Sequence, residues 1–255
     1  MEVTMKIKNL VKTLALTATI ATSFSSHADF LDFQVDETPY GGEIVTADKH
    51  NGGYKEIITF DDQGNFVANA FANMNQLFGN NGGDNLGASS TIGANYSLYA
   101  TFSAEGNLSG PVIFGQEITN SASKGSFSLF LDPNRDTKAA DGDLSLSGET
   151  DDIFLGGSSS LGRNSLVFLP GNRGGVFDFM FYKFELTTEG HEYFVSPQPF
   201  YSYVNVDGDF DNFAFEGTQR VTGDVSAVFV PEPSTLAVLG LGLLGLGATS
   251  RRKAK

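Results

Sequence analysis

Between Phe30 and Phe229 apolar and polar residues alternate by two, the period of a strand half buried in a sheet. SFSLFLD from Ser126, DLSLSGE from Asp143, NYSLYATFSAEG from Asn95 and TQRVTGDVSAVFV from Thr218 all carry it. VFDFMFYKFEL, from Val176, carries it and then breaks it. Phe177, Phe179 and Phe181 share one face, but the apolar residue expected at Lys183 arrives at Phe184. A β-bulge near Tyr182 and Lys183 restores the register. The pairs Asn51-Gly52, Asn81-Gly82, Asp141-Gly142 and Asp207-Gly208 are each suited to positive φ and each lie beside a strand-like run, so they read as turns. The spacing predicts about ten to fourteen strands and almost no helix. The fold class is therefore all-β, closed as a β-sandwich or a Greek-key barrel. With 23 Phe, 30 Gly and no Trp, the core is expected to be Phe packed with Val, Ile and Leu. LFGNNGGDNLGASSTIGAN from Leu77 and LGGSSSLGR from Leu155 lack an apolar period and are expected to be mobile loops.

The two ends follow other rules. From Met5 the chain places Lys6, Lys8 and Lys12 before an apolar run from Leu14 to Ala21, then small residues ending in Ser26-His27-Ala28. This is the layout of a secretory signal peptide over residues 1–28, with cleavage between Ala28 and Asp29. At the other end, Val230-Pro231-Glu232-Pro233 precedes the 17 uncharged residues 234–250 and a tail of Arg251, Arg252, Lys253 and Lys255. As a helix those 17 residues reach ~25 Å, the short limit for one transmembrane crossing. The basic tail would stay in the cytoplasm as a stop-transfer element, leaving residues 29–229 outside as a β-rich ectodomain.

Charge narrows the partners. The net charge of −14 becomes −19 for residues 29–230, where 28 acids face 9 bases. Such a surface repels nucleic-acid phosphates, so nucleic-acid binding is not expected. The absence of Cys removes disulfides, thiol nucleophiles and thiolate metal sites together.

The C-terminal constellation, a Pro-Glu-Pro strip, a short Gly/Leu helix and an Arg-rich tail, resembles the PEP-CTERM sorting signal of Gram-negative bacteria. The resemblance implies an exosortase as processing partner, transient residence in the inner membrane, then delivery to the cell surface or extracellular matrix. Pro231 and Pro233 suit that role because they bar helix continuation and hold an extended strip. Four further stretches resemble the flocculation-associated PEP-CTERM proteins, the PepA family. They are DETPYGGEIVTADKHNGGYKEIITF from Asp36, GSFSLFLDPNRDTKA from Gly125, HEYFVSPQPFYSY from His191 and NFAFEGTQRVTGDVSAVFVPEP from Asn212. That resemblance implies a structural protein promoting cell aggregation with extracellular polysaccharide as partner.

Reactive groups are few. His50 and His191 lie in no metal or nucleophile motif and read as solvated, turn-like residues, and no enzyme activity and no cofactor is expected. Two low-specificity sites stand out. Asp132, Asn134, Asp136 and Asp143 occupy the first, third, fifth and twelfth places of an oxygen-ligand Ca²⁺ loop, although its sixth place is Thr137 rather than Gly. Tyr201 and Tyr203, two residues apart on a strand, would share a face suited to stacking on sugar rings. A carbohydrate- or Ca²⁺-binding module is thus the alternative to a structural protein, and a secreted hydrolase the third reading.

Overall fold

The structure, a computed structural model, describes residues 29–108, 112–171, 174–211 and 217–230. In chain order its strands are β1 (Phe33–Asp36), β2 (Ile44–Ala47), β3 (Lys49–Phe60), β4 (Asn65–Asn73), β5 (Gln76–Gly79), β6 (Asp84–Asn85), β7 (Ser97–Asn107), β8 (Glu117–Thr119) and β9 (Ala122–Asp132). There follow β10 (Lys138–Ala139), β11 (Leu146–Ser147), β12 (Ile153–Ser158), β13 (Ser160–Phe168), β14 (Gly175–Tyr182), β15 (Glu185–Leu186), β16 (Phe194–Ser196), β17 (Tyr203–Phe210) and β18 (Thr218–Val230). Among the described residues the one α-helix, α1 (Thr188–Tyr193), is capped by the Thr187 hydroxyl, which accepts from the Gly190 N–H. The class is all-β, as expected. The strands outnumber the prediction because β6, β8, β10, β11, β15 and β16 are two or three residues long, too short to show a period.

A single antiparallel sheet dominates, with strand order β15-β12-β9-β7-β4-β3-β18-β17-β14-β13-β8. Its two halves are meanders joined at the centre, where β3 and β18, near opposite ends of the chain, pair over ten residues from Thr59↔Thr218 to His50↔Ala227. Chain connectivity forces this sheet to curl. Ser159 alone links β12 to β13, which stand eight places apart in the strand order. In a flat sheet those strands would lie ~40 Å apart, far beyond the reach of one residue. Rings from the two halves accordingly meet across the interior: Phe102 of β7 lies 5.2 Å from Phe179 and 5.8 Å from Phe181 of β14, and Phe127 of β9 lies 6.1 Å from Phe181. The closed interior is the Phe-rich core expected from composition.

The break in VFDFMFYKFEL is where the sequence places it. Phe179, Phe181 and Phe184 are buried, and Lys183 shifts the register by adopting φ +54° just after β14 ends. The bulge itself lies one strand away in β13, between Leu161 and Asn164, where Gly162 leaves room for the Tyr182 ring.

Two expected turns are instead strand interior. Asn51-Gly52 lies within β3 and Asp207-Gly208 within β17. Each Gly serves close approach: a Cβ on Gly52 would sit 1.6 Å from the Asn73 carbonyl oxygen, and one on Gly208 would sit 2.7 Å from the Phe177 ring. Asn81-Gly82 does turn, with φ of 59° and 71°. The stretch from Leu155 is not a loop, since it forms most of β12 and the start of β13. The stretch from Leu77 contains β6 and is pinned by Glu37, which is fully buried. Glu37 accepts from Ser90 Oγ at 2.5 Å, Thr91 N at 2.7 Å and Tyr96 Oη at 2.7 Å. These donors satisfy a carboxylate that would otherwise be costly to bury.

Outside the main sheet, β16, β1 and β2 form a three-stranded sheet. The β10–β11 hairpin covers Phe71 and Tyr99 on the outer face of the main sheet. Lys55 holds that hairpin by donating to the Ala139 carbonyl and the Asp141 carboxylate, both at 2.7 Å, and Arg220 donates to the Asp141 and Gly142 carbonyls at 3.1 Å.

Candidate functional site: the exit of the last strand

The last strand of the domain is central in the sheet. In β18, Val221, Val225, Ala227 and Phe229 point inward, as alternation requires. The Phe229 ring is the hub of an aromatic cluster, with centroids 4.7 Å from Phe200, 5.3 Å from Phe33, 5.4 Å from Phe184 and 5.6 Å from Phe194. Val230 is still paired, opposite Tyr203. Pro231 follows at once and has no N–H to extend the ladder. Pro231, Glu232, Pro233, the apolar segment 234–250 and the basic tail lie outside the described residues, as do residues 1–28 with Ala28. Among the described residues no helix is long and apolar enough to cross a membrane.

The Asp132 loop gathers three of its four nominated residues, but the side-chain oxygens of Asp132 and Asn134 are taken up by the chain itself. Asp132 Oδ1 accepts from the N–H groups of Asn134 and Arg135 at 3.2 and 2.6 Å, and Oδ2 from Thr137 N at 3.0 Å and Ser97 Oγ at 3.2 Å. Asn134 Oδ1 accepts from Asp136 N at 3.1 Å. Asp143 stands apart in the β10–β11 hairpin, accepting from Ser145 N and Oγ. Among the described residues no three His, Asp or Glu side chains converge as a metal site. The loop is a stack of side-chain-to-backbone turns. Asp132→Ala, which orphans these donors, is expected to lower stability by about 1–3 kcal/mol, measurable by urea unfolding.

Tyr201 and Tyr203 do not form one stacking face. Tyr201 turns inward, its ring lying parallel to Phe229 at 6.3 Å while its hydroxyl donates to the Asp32 carbonyl at 2.7 Å. Tyr203 faces outward and meets Tyr182 edge-on at 5.0 Å. The residue between them is not in strand geometry, so the alternation rule fails there: β17 begins only at Tyr203.

Three polar groups on inward strand faces escaped the sequence reading. His50 is a core residue, 1% exposed, stacked on Phe33 at 5.1 Å and edge-on to Phe194. Burial pushes its imidazole down to about 4, against a weaker opposite pull from the Met74 backbone. It is buried because Asn51-Gly52 continues β3 instead of turning it. Inside the sheet, Glu56 and Tyr54 of β3 line a cavity of about 70 Å³ walled by apolar side chains. Burial pushes the Glu56 carboxyl up to about 7. It also raises the Tyr54 phenol, reinforced by the charges of Glu56, Asp209 and Asp211. Strand parity alone would have put both residues inside with Ile58 and Phe60, but an acid on an inward face is an exception that parity gives no reason to expect.

Comparison with known proteins identifies the segment at the exit of β18: residues 229–253 match the PEP-CTERM protein-sorting motif. The chain therefore carries the signal of an exported protein that an exosortase processes at the membrane. No curated protein and no solved structure matches the chain. The matched segment begins at Phe229, so its first two residues are also the last two of β18.

Proposed function

We propose that the chain is a structural, non-enzymatic protein of the bacterial cell surface or extracellular matrix that promotes exopolysaccharide-associated aggregation of cells. The observation that carries this reading is the sorting motif joined directly to an acid-rich β domain. A leader over residues 1–28 would start export and leave Asp29 as the mature N-terminus. The segment 234–250 would then tether the chain in the inner membrane with Arg251 to Lys255 in the cytoplasm, until exosortase removes it. Because the segment is short and Gly-rich, it suits a temporary tether better than a permanent anchor.

Deleting the gene is expected to abolish or weaken floc formation, and unchanged flocs would refute the aggregation role. Processing has its own test. Changing Pro231 and Pro233 to Ala is expected to block cleavage, so that protein accumulates in the membrane fraction with Lys255 attached. Mass spectrometry reads this directly, and an intact tail on wild-type surface protein would defeat the scheme.

A carbohydrate-binding module is a second reading, and one feature favours it: an outer-face row in which Tyr99 and Phe130 stack at 5.0 Å and 9°, continued by Phe154 at 5.2 Å. Phe154 is 43% exposed and could stack on a sugar ring. Phe154→Ala is expected to remove any glycan-array signal of the wild type without changing export, and an unchanged signal would reject this row as the site.

A further inference from the structure

The floor of the internal cavity is built unlike the rest of the core. Ala68, Ala70 and Ala72 of β4 point inward, and the register sets Ala68 opposite Ala104 and Ala72 opposite Ala100 of β7. On the other side of β4, Ile58, Glu56 and Tyr54 of β3 stand opposite the same three alanines in turn. Five small side chains thus lie beside a carboxyl and a phenol in an interior whose larger side chains are mostly Phe, Leu and Val. Close-packed cores do not leave such space without reason. The room amounts to about five water-sized groups.

Both polar groups lack partners. The Tyr54 hydroxyl is buried and makes no hydrogen bond among the described residues. Glu56 is half-buried, lines the cavity, and receives a hydrogen bond from no described residue. Glu37 shows how this fold satisfies a carboxyl that it means to keep to itself, with donors on both oxygens. Glu56 and Tyr54, two residues apart on one strand, lie ~7 Å from each other and face the same space. The buried, unpaired Tyr54 hydroxyl is destabilising by kcal/mol amounts and the half-buried Glu56 carboxylate by less, and a ligand that pairs them removes that penalty.

We propose that the interior of the curled sheet is a binding site for a small amphipathic cation, a short alkyl ammonium ion. Its N–H groups donate to the Glu56 carboxylate and the Tyr54 oxygen, and its apolar body lies on the alanine floor against Phe102, Phe179 and Val225. An anion is rejected by Glu56. A neutral hydrocarbon fills the space but leaves both polar groups unpaired.

The test uses the purified protein at pH 8 with n-propylammonium, propanoate and n-propanol as probes, small enough for the cavity, read by calorimetry and by thermal shift. Propylammonium is expected to bind and raise Tm, propanol to bind more weakly and propanoate not at all. Glu56→Gln, nearly isosteric, is expected to weaken propylammonium about tenfold or more while leaving propanol unchanged. Ala70→Leu, which fills the floor, is expected to abolish both. Should Ala70→Leu not fold, Ala100→Val serves as the filling variant. The proposal is overturned if the wild type binds no propylammonium, the cavity then holding water only. It is equally overturned if Glu56→Gln binds the amine as well as the wild type does, since that is diffuse attraction to an acidic surface, or if propanoate binds as tightly.

Discussion

Phe229→Ala is expected to destabilise the domain by about 3–5 kcal/mol, the range for removing a fully buried aromatic ring from a core. The upper half of that range applies because the ring is 1% exposed and is shared by Phe33, Phe184, Phe194 and Phe200. Those residues come from β1, from the β14–β15 connection, from β16 and from the β16–β17 connection, so no single local shift can fill the void. For a domain of this size the fall in Tm is ~10 °C. Pro231→Ala, two residues on, lies past the last paired residue and is expected to change stability by less than ~0.5 kcal/mol. The pair of variants therefore separates folding from sorting across two positions of one motif. Urea unfolding checks the first effect and membrane retention the second. A loss below ~1 kcal/mol for Phe229→Ala would mean that the last strand is not part of the cooperative core.

Titration of the interior gives the second large effect. Glu56 is held at about 7, above the ordinary carboxylate value of 4.5. The native state then binds the proton through a window in which the unfolded chain has released it, and stability falls as pH rises from 4.5 to 7. His50 is held at about 4, below 6.5. There the unfolded chain binds the proton first, so stability is present above pH 6.5 and is lost as pH falls towards 4. Each shift corresponds to roughly 3 kcal/mol, with opposite sign over nearly the same window. The two offset one another, and the wild type is expected to be nearly level between pH 4.5 and 6.5 as far as these groups decide. Glu56→Gln should expose the His50 limb, with stability rising by about 3 kcal/mol from pH 4 to 6.5. His50→Leu should expose the Glu56 limb, with a fall of similar size from pH 4.5 to 7. Urea unfolding at intervals of half a pH unit checks both. A Glu56→Gln curve parallel to that of the wild type would show that the carboxyl is not held in the cavity.

The sequence by itself determined whatever depends on near neighbours. A period of two needs only adjacent residues, which is why the strands and their inward faces, and even the break at Lys183, were legible. The sorting segment was legible for the same reason: its strip, apolar run and basic tail are contiguous, and the match over residues 229–253 rests on them alone. Tertiary structure decided whatever depends on which strand meets which. Pairing β3 with β18 and linking β12 to β13 through one residue closed the sheet, and neither contact leaves a local trace. That closure buried His50, turned Gly52 and Gly208 from turn formers into points of close approach, and brought the Leu77 stretch over Glu37. It also turned Glu56 onto the cavity. A carboxyl on an inward strand face looks like any other acid in a sequence with 30 of them. Only the alanines paired beside it, and the absence of a donor among the described residues, set it apart, because burial and hydrogen-bond satisfaction are properties of the surroundings rather than of the residue.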